Sequence, residues 1–433
     1  GAQGGPTAVV RPSPRGAAAA ATAAAERQSG SARPAPMARA MALLLTPVLG
    51  PAGLEHVATH KYVPGKYTPL DLLLNSFWQG LANSLPMWLA PNLVTLLGFL
   101  PMALSYALVW NYCPFFTEPP PRALAFFTAF TMFLYQTLDA VDGKQARRTG
   151  ASSPLGQLFD HGCDCMACLA HHSVACMVLL PGGSVWTVAG LAGLQTAFFL
   201  AQWQEFHTGV LSTSFGPVGV TETQFGLIFL ALFGASMGPE GLGAWAAARL
   251  SVPWWREPLP RGIVGVQLWL CFVLSLSVIS FAKTLHNAFK QKGFAGLVVA
   301  LGQLLPVAAV NCVLFVAWDL AVYELNPRKL CFLTGVLFFF YTAQMILCSM
   351  AKMDFSAQQL PTLAPYAAVA VASRFLSPAH LNVVLTLASA LLGVWVFLWL
   401  YRVLEELKAR LGIFAFRLGA PGRPDGGADG KTK

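Results

Sequence analysis

Apolar residues along this chain fall into long blocks, near 91–110, 123–141, 156–180, 185–203, 223–237, 263–282, 295–318, 330–350, 360–376 and 381–402. A helix needs about 20 such residues to cross the hydrocarbon of a bilayer. Most blocks reach that length, and those at 223–237 and 360–376 are the weakest. The pattern predicts an all-α, polytopic integral membrane protein with about ten transmembrane helices. An earlier stretch reads differently. Between Pro69 and Leu85, Leu70, Leu73, Leu74, Phe77, Leu81 and Leu85 recur at helical spacing, while Asp71, Asn75, Gln79 and Asn83 run along the opposite face. It is too short and too polar to span, so an N-terminal amphipathic helix lying in the membrane interface is expected. Trp78 and Trp88 suit that depth.

Composition sharpens this picture. Of 433 residues, 55% are hydrophobic and 11% charged, against about 25% charged in a soluble domain. A disordered chain, a disulfide-stapled secreted module and a nucleic-acid-binding domain are all excluded. The net charge of +9 is spread over loops and tails instead of forming one basic face. Lys144, Arg147 and Arg148 follow the second span, Lys283, Lys290 and Lys292 the sixth, and Arg402, Lys408, Arg410 and Arg417 the last. The opposite loops hold Arg122, Arg249, Arg256, Arg261, Arg328, Lys329 and Arg374, so the bias is modest. It places both termini and the second loop in the cytosol. Residues 1–45, rich in Ala, Arg, Gly and Pro, read as a disordered or artefactual leader, with Met37 a possible start; a transit peptide is the alternative. Residues 46–89 then form the interfacial segment, 90–237 a catalytic membrane core, 238–410 further transmembrane helices and 411–433 a cytosolic tail.

Candidate chemistry is concentrated in one place. The chain has nine Asp, and four of them, Asp139, Asp142, Asp160 and Asp164, fall within 26 residues. Three- and four-residue spacings put each pair on one helix face. Gly150, Ser152, Ser153 and Pro154 between the pairs break the helix and allow an antiparallel return. Two acidic faces should therefore meet at the cytosolic end of the second and third spans, with Gly143, Gly156 and Gly162 allowing close helix approach. Ionised carboxylates at the edge of hydrocarbon are costly and repel one another. Oxygen-only ligands favour a hard cation, Mg²⁺ or Mn²⁺, and four carboxylates suffice for two ions clamping a pyrophosphate.

The string Asp139-x2-Asp142-Gly143-x2-Ala146-Arg147-x8-Gly156-x3-Asp160-x3-Asp164 resembles the motif of the CDP-alcohol phosphotransferase family, with every fixed position filled. The flanks Lys144–Thr149 and Ser153–Gly162 resemble its choline/ethanolamine (aminoalcohol) branch, as does Trp88–Thr95 upstream. Leu411-Gly412-Ile413-x-x-Phe416-Arg417 looks most like plant and algal members. The resemblance covers roughly residues 60–417, densely before 230 and thinly after. It implies transfer of phosphocholine or phosphoethanolamine from CDP-choline or CDP-ethanolamine to diacylglycerol, releasing CMP. It further implies two metals bridged by Asp139 and Asp160 and completed by Asp142 and Asp164, with Asn92, Arg147 and Gly143 at the CDP-alcohol. His161 becomes the proton acceptor. An endoplasmic reticulum or Golgi location and a homodimer belong to the same expectation.

Alternatives stand beside these readings. Adjacent helical residues diverge by about 100°, so His161 could instead pack or orient Asp160, leaving Asp164 or metal-bound solvent as base. Glu222 is a candidate partner for the amino-alcohol cation. Glu205 and His207 read as a solvated loop that could touch the head group, and Trp203 as an interfacial anchor or a cation–π contact. His161, Cys163, Cys165, Cys168, His171 and His172 could suggest zinc, but they lie on one continuous helix. A family relative using CDP-diacylglycerol with inositol or glycerol phosphate, or a cation-coupled transporter, is the competing function.

Overall fold

A computed structural model of the chain describes residue 1 and residues 48–318, 327–355, 363–372 and 374–419. Gly1–Val48 and Leu49–Lys433 are separate units, and every element below belongs to the second. The predicted leader, apart from Gly1, lies outside the described residues, as does the tail from 420.

Among the described residues the architecture is all-α apart from two short hairpins. Helices α1 (Pro51–Thr59) and α2 (Pro69–Ser84) precede α3 (Pro91–Tyr112), α4 (Arg122–Thr149), α5 (Pro154–Leu179) and α6 (Val185–Thr208). The hairpin β1 (Ser214–Phe215)–β2 (Val218–Gly219), in register Phe215 to Val218, leads into α7 (Val220–Ala247). A second hairpin, β3 (Arg249–Leu250)–β4 (Leu259–Pro260), precedes α8 (Arg261–Gly302). Then come α9 (Leu305–Trp318), α10 (Pro327–Ala351), α11 (Ala364–Ala372) and α12 (Pro378–Leu411).

Eight stretches among the described residues are helical, long and apolar enough to cross a membrane. One of them, Arg261–Trp318, joins α8 and α9 and contains a break at Gly293, whose φ of 61° is left-handed. The break falls between the predicted sixth and seventh spans. Residues 360–362 and 373 of the weak ninth block lie outside the described residues, and its described helix, α11, has nine residues. Helices α5 and α10 form the centre, with 89% of their apolar windows buried, against 11% for α12 at the periphery.

Local chemistry explains where the helices start and stop. Pro91 and Pro154 sit in first turns, where the missing N–H is not needed. Thr68 and Asp71 close a reciprocal capping box on α2. Ser153 caps α5 by accepting from Gly156 N, and Gly150 ends α4 in the left-handed conformation. The α7 kink at Gly238 (φ 70°) admits the Arg122 side chain, which donates to the carbonyls of Ser236 and Met237. With ψ at 172° as well, this backbone conformation is one that residues with a Cβ rarely adopt, so glycine suits it.

Two expectations need correction. The apolar stripe of α2 does not act as one surface. Trp78 and Ala82 are buried with Leu74 and Leu81 against Val94 and Val141, whereas Leu73 and Phe77 stay exposed. Its polar face docks onto protein: Lys144 donates to Asn75 and Thr221 to Asp71. Trp78 is therefore a packing residue, and of the two tryptophans only Trp88 is exposed. Nor do the motif glycines serve close helix approach. A methyl on Gly143, Gly156 or Gly162 would meet its nearest neighbour at 3.5–3.6 Å, an ordinary contact. Between α3 and α4 the close approach is at Gly98, where a Cβ would lie 3.1 Å from Leu138 Cβ and 3.2 Å from Tyr135 Cα.

Candidate active site

The predicted break at Gly150–Ser153 turns the chain back, and α4 and α5 meet where their acidic faces coincide. Asp139, Asp142 and Asp160 each present a carboxylate oxygen within 4.8 Å of the others. Asp142 is buried and accepts a short hydrogen bond from Thr95 on α3. One oxygen of Asp160 is buried with no hydrogen-bond partner. Asp164, one turn further on, stands outside this trio, and its Oδ1 accepts from Tyr135 Oη at 2.6 Å.

These residues fit a cation. Three acidic groups are packed together at the end of membrane-spanning helices, and no ion pair among the described residues involves any of them. Their donors are all oxygen, the preference of a hard divalent ion, and the orphaned Asp160 oxygen is free to serve as a ligand to such an ion. Arg147, one turn beyond Gly143, is exposed and has no hydrogen-bond or ion-pair partner among the described residues. Nothing but this guanidinium comes within 4 Å of a Cβ built on Gly143, so the helix face beside the carboxylates is open.

His161 faces the N-terminal segment. It is buried, its Nδ1 has no partner, and its ring meets Tyr62 edge-on with centroids 5.6 Å apart. Tyr62 carries a phenol and is partly exposed. Burial first, then the carboxylates of Glu205, Asp160, Asp164 and Asp139, push that phenol well above its ordinary pKa. The extended stretch carrying it is anchored on both sides. Leu211 N donates to Val63 O, Ser214 Oγ to Lys66 O, and His60 Nε2 pairs with Gln157 Oε1 at 2.9 Å. The other end of Gln157 donates to Glu205 Oε1 at 2.9 Å.

Glu205 is consequently no solvated loop residue. It lies in the last turn of α6, 3% exposed, with Oε2 buried and unpartnered. Trp203 is not an interfacial anchor: it is fully buried and donates to Gln303 Oε1, which also meets His207 Nε2 at 2.8 Å. With its indole engaged and enclosed, it offers no open face to a cation. Glu222 caps α7, its Oε2 accepting from Gly219 N, while Oε1 is buried without a partner. Asn92, in the first turn of α3, is buried and donates through Nδ2 to Ala415 O. The Cys and His residues of α5 form no metal-ligand group among the described residues; His172 pairs with Cys176 on its own helix.

Thr95, Tyr135, Tyr62, His60 and Gln157 were not legible as site residues. Tyr135 lies four residues before Asp139 and Thr95 three after Asn92, so each shares a helix face with a motif residue. His60 and Tyr62 carry no periodic signal at all.

A family model described as CDP-alcohol phosphatidyltransferase matches residues 88–255, which hold all of the motif. Choline/ethanolaminephosphotransferase 1 of Arabidopsis thaliana is 32% identical over 86% of this chain and 99% of its own length. The chain belongs to the CDP-alcohol phosphatidyltransferase family. Ethanolaminephosphotransferase 1 of Homo sapiens is 31% identical over 72% of this chain and 80% of its own. Cholinephosphotransferase 1 of Xenopus laevis is 36% identical over 50% of this chain and 54% of its own. The similarity to the Arabidopsis protein runs far beyond the region of the family model and takes in part of the chain after residue 255.

Proposed function

We propose that this family member transfers phosphocholine or phosphoethanolamine from CDP-choline or CDP-ethanolamine to the hydroxyl of diacylglycerol, giving phosphatidylcholine or phosphatidylethanolamine and CMP. The observation that carries the reading is the convergence of Asp139, Asp142 and Asp160 within 4.8 Å, on the two helices that also bring Arg147 and His161. Relatives named for each head group support the substrate class.

In this reading Asp139, Asp142, Asp160 and Asp164 hold two divalent cations, Mg²⁺ or Mn²⁺. When bound, they supply positive charge to the donor pyrophosphate and to the leaving CMP. Arg147 pairs with a phosphate oxygen, Asn92 holds the nucleotide, and the bare backbone at Gly143 leaves the donor room to approach. His161 accepts the proton of the diacylglycerol hydroxyl as that oxygen attacks the phosphorus of the head-group phosphate. The bond from that phosphorus to the CMP oxygen breaks, and CMP leaves with the electron pair. A neutral imidazole suits this task near neutral pH. Glu205 and Glu222, each with a buried unpartnered carboxylate oxygen, are the candidate partners of the amino-alcohol cation. The active site faces the cytosol of an endoplasmic reticulum or Golgi membrane.

The deciding experiment supplies purified protein in diacylglycerol micelles with CDP-choline and CDP-ethanolamine in competition. CMP release with matching phospholipid is expected. Activity solely with CDP-diacylglycerol and a soluble alcohol would overturn the reading.

A further inference from the structure

After α12 the described residues 412–419 fold back onto the helices. Gly412 closes the helix in the left-handed conformation, with its N–H and that of Ile413 both directed at Lys408 O, and the backbone turns back toward α3 and α5. There Ala415 O accepts from Asn92 Nδ2 at 2.8 Å, and Phe416 meets Phe159 edge-on with centroids 5.4 Å apart. Phe159 immediately precedes Asp160. The turn is held from behind by the N-terminal segment: Arg410 pairs with Glu55 at 2.6 Å, and Glu406 accepts from Leu49 N at 2.9 Å.

The Asn92 contact has a defined polarity. A carbonyl oxygen only accepts, so the group facing Ala415 must be the amide NH₂. Oδ1 is thereby turned to the other side, 3.5 Å from where a Cβ on Gly156 would lie. A buried carboxamide that would otherwise have two orientations is left with one. It presents an acceptor, suited to a sugar hydroxyl or a base amino group, at the mouth of the motif. The same segment carries the Leu411-Gly412-Ile413-x-x-Phe416-Arg417 string that the motif chemistry leaves without a role.

We propose that Ile413–Arg417 is a positioning strap for the nucleotide donor, in which the Ala415 carbonyl fixes the Asn92 carboxamide and Phe416 anchors the strap on Phe159. This rests on the reading of Asn92 as a donor contact.

The test uses full-length protein, a chain ending at Gly412 and a chain ending at Gly419, each alone and with Asn92→Ala. Ending at Gly412 should raise the KM for the CDP-alcohol about five- to tenfold, the effect of one hydrogen bond. Its kcat at saturating donor and its metal-activation midpoint should stay near wild type. The chain ending at Gly419, which keeps the strap, should behave as wild type. Asn92→Ala should raise KM to a similar extent, and the combined variant should be no worse than the worse single change, because both remove one contact. Should the shorter chain fail to fold, Phe416→Ala in the full chain carries the test: KM rises and Phe416→Tyr restores it. Unchanged KM in the strap variants while Asn92→Ala raises it, or effects that multiply, would overturn the strap alone. Unchanged KM in Asn92→Ala would overturn the donor-contact reading and the strap with it.

Discussion

At the residue scale the proposed mechanism divides labour between groups that hold charge and groups that move a proton. Asp139, Asp142 and Asp160 converge, while Asp164 is tied to Tyr135. Chelator should therefore abolish turnover and Mg²⁺ or Mn²⁺ restore it, with Asp139→Ala and Asp160→Ala inactive at any metal concentration tried. Full turnover in excess chelator after dialysis would remove the metal mechanism. For His161→Ala, general-base loss predicts a fall in kcat of about 10²- to 10⁴-fold, with donor affinity in the presence of metal within a few-fold of wild type. His161→Gln should not recover it, since an amide does not usefully accept a proton. Arg147→Ala should do the reverse and weaken donor binding first. Substantial kcat in His161→Ala would return the histidine to a packing role and pass the base to Asp164 or solvent.

At the element scale, precision comes from how α3, α4 and α5 are locked together. Gly98 lets α3 lie against the backbone of α4 at Tyr135, so Thr95 reaches Asp142 from the same face of α3. A side chain there has nowhere to go without pushing on backbone. Gly98→Val should cost about 1–3 kcal/mol, as overpacking does, and lower activity along with thermal stability in detergent. A melting temperature equal to wild type would mean that α3 and α4 separate easily. The α4 terminus also carries α2: Arg148 Nη1 donates to the carbonyls of Ala82 and Leu85, and Gln145 Nε2 to those of Pro86 and Leu89. Arg148→Ala frees the last carbonyls of α2 from this partner. It should expose the 82–89 stretch to proteolysis while donor binding at Arg147 persists.

At the scale of the whole molecule, the contact between Asn92 and Ala415 brings the start of α3 and the end of α12 to one end of the helix array. The chain between them must change ends an even number of times. Cysteines placed at Ser152 and Gly430 should therefore respond alike to a membrane-impermeant reagent, both from the cytosolic side; opposite protection would mean an odd number of spans. Much of this molecule was legible from sequence for a simple reason. Long apolar blocks have no alternative to crossing a bilayer as helices, because unpaired backbone groups are not tolerated there. Two Asp pairs at three- and four-residue spacing on either side of a Gly–Ser–Pro turn must also present two acidic faces to each other. What the sequence left open depends on contacts between residues far apart in the chain. Glu205 is polar and stands near a span's end, so only its bond to Gln157, 48 positions away, shows it to be buried in the site. Tyr62 and His60 lie in an aperiodic stretch, and their place beside His161 and Gln157 is set by strand-like ties to residues 211–214. Periodicity reports which face of a helix is apolar, and from that the fold class, the α4–α5 return and the acidic cluster followed. Which partner covers each face is a matter of tertiary packing, and that alone decided that Trp78 and Trp203 are interior, that Gly98 is where α3 closes on α4, and that the chain's last described turn closes over Asn92.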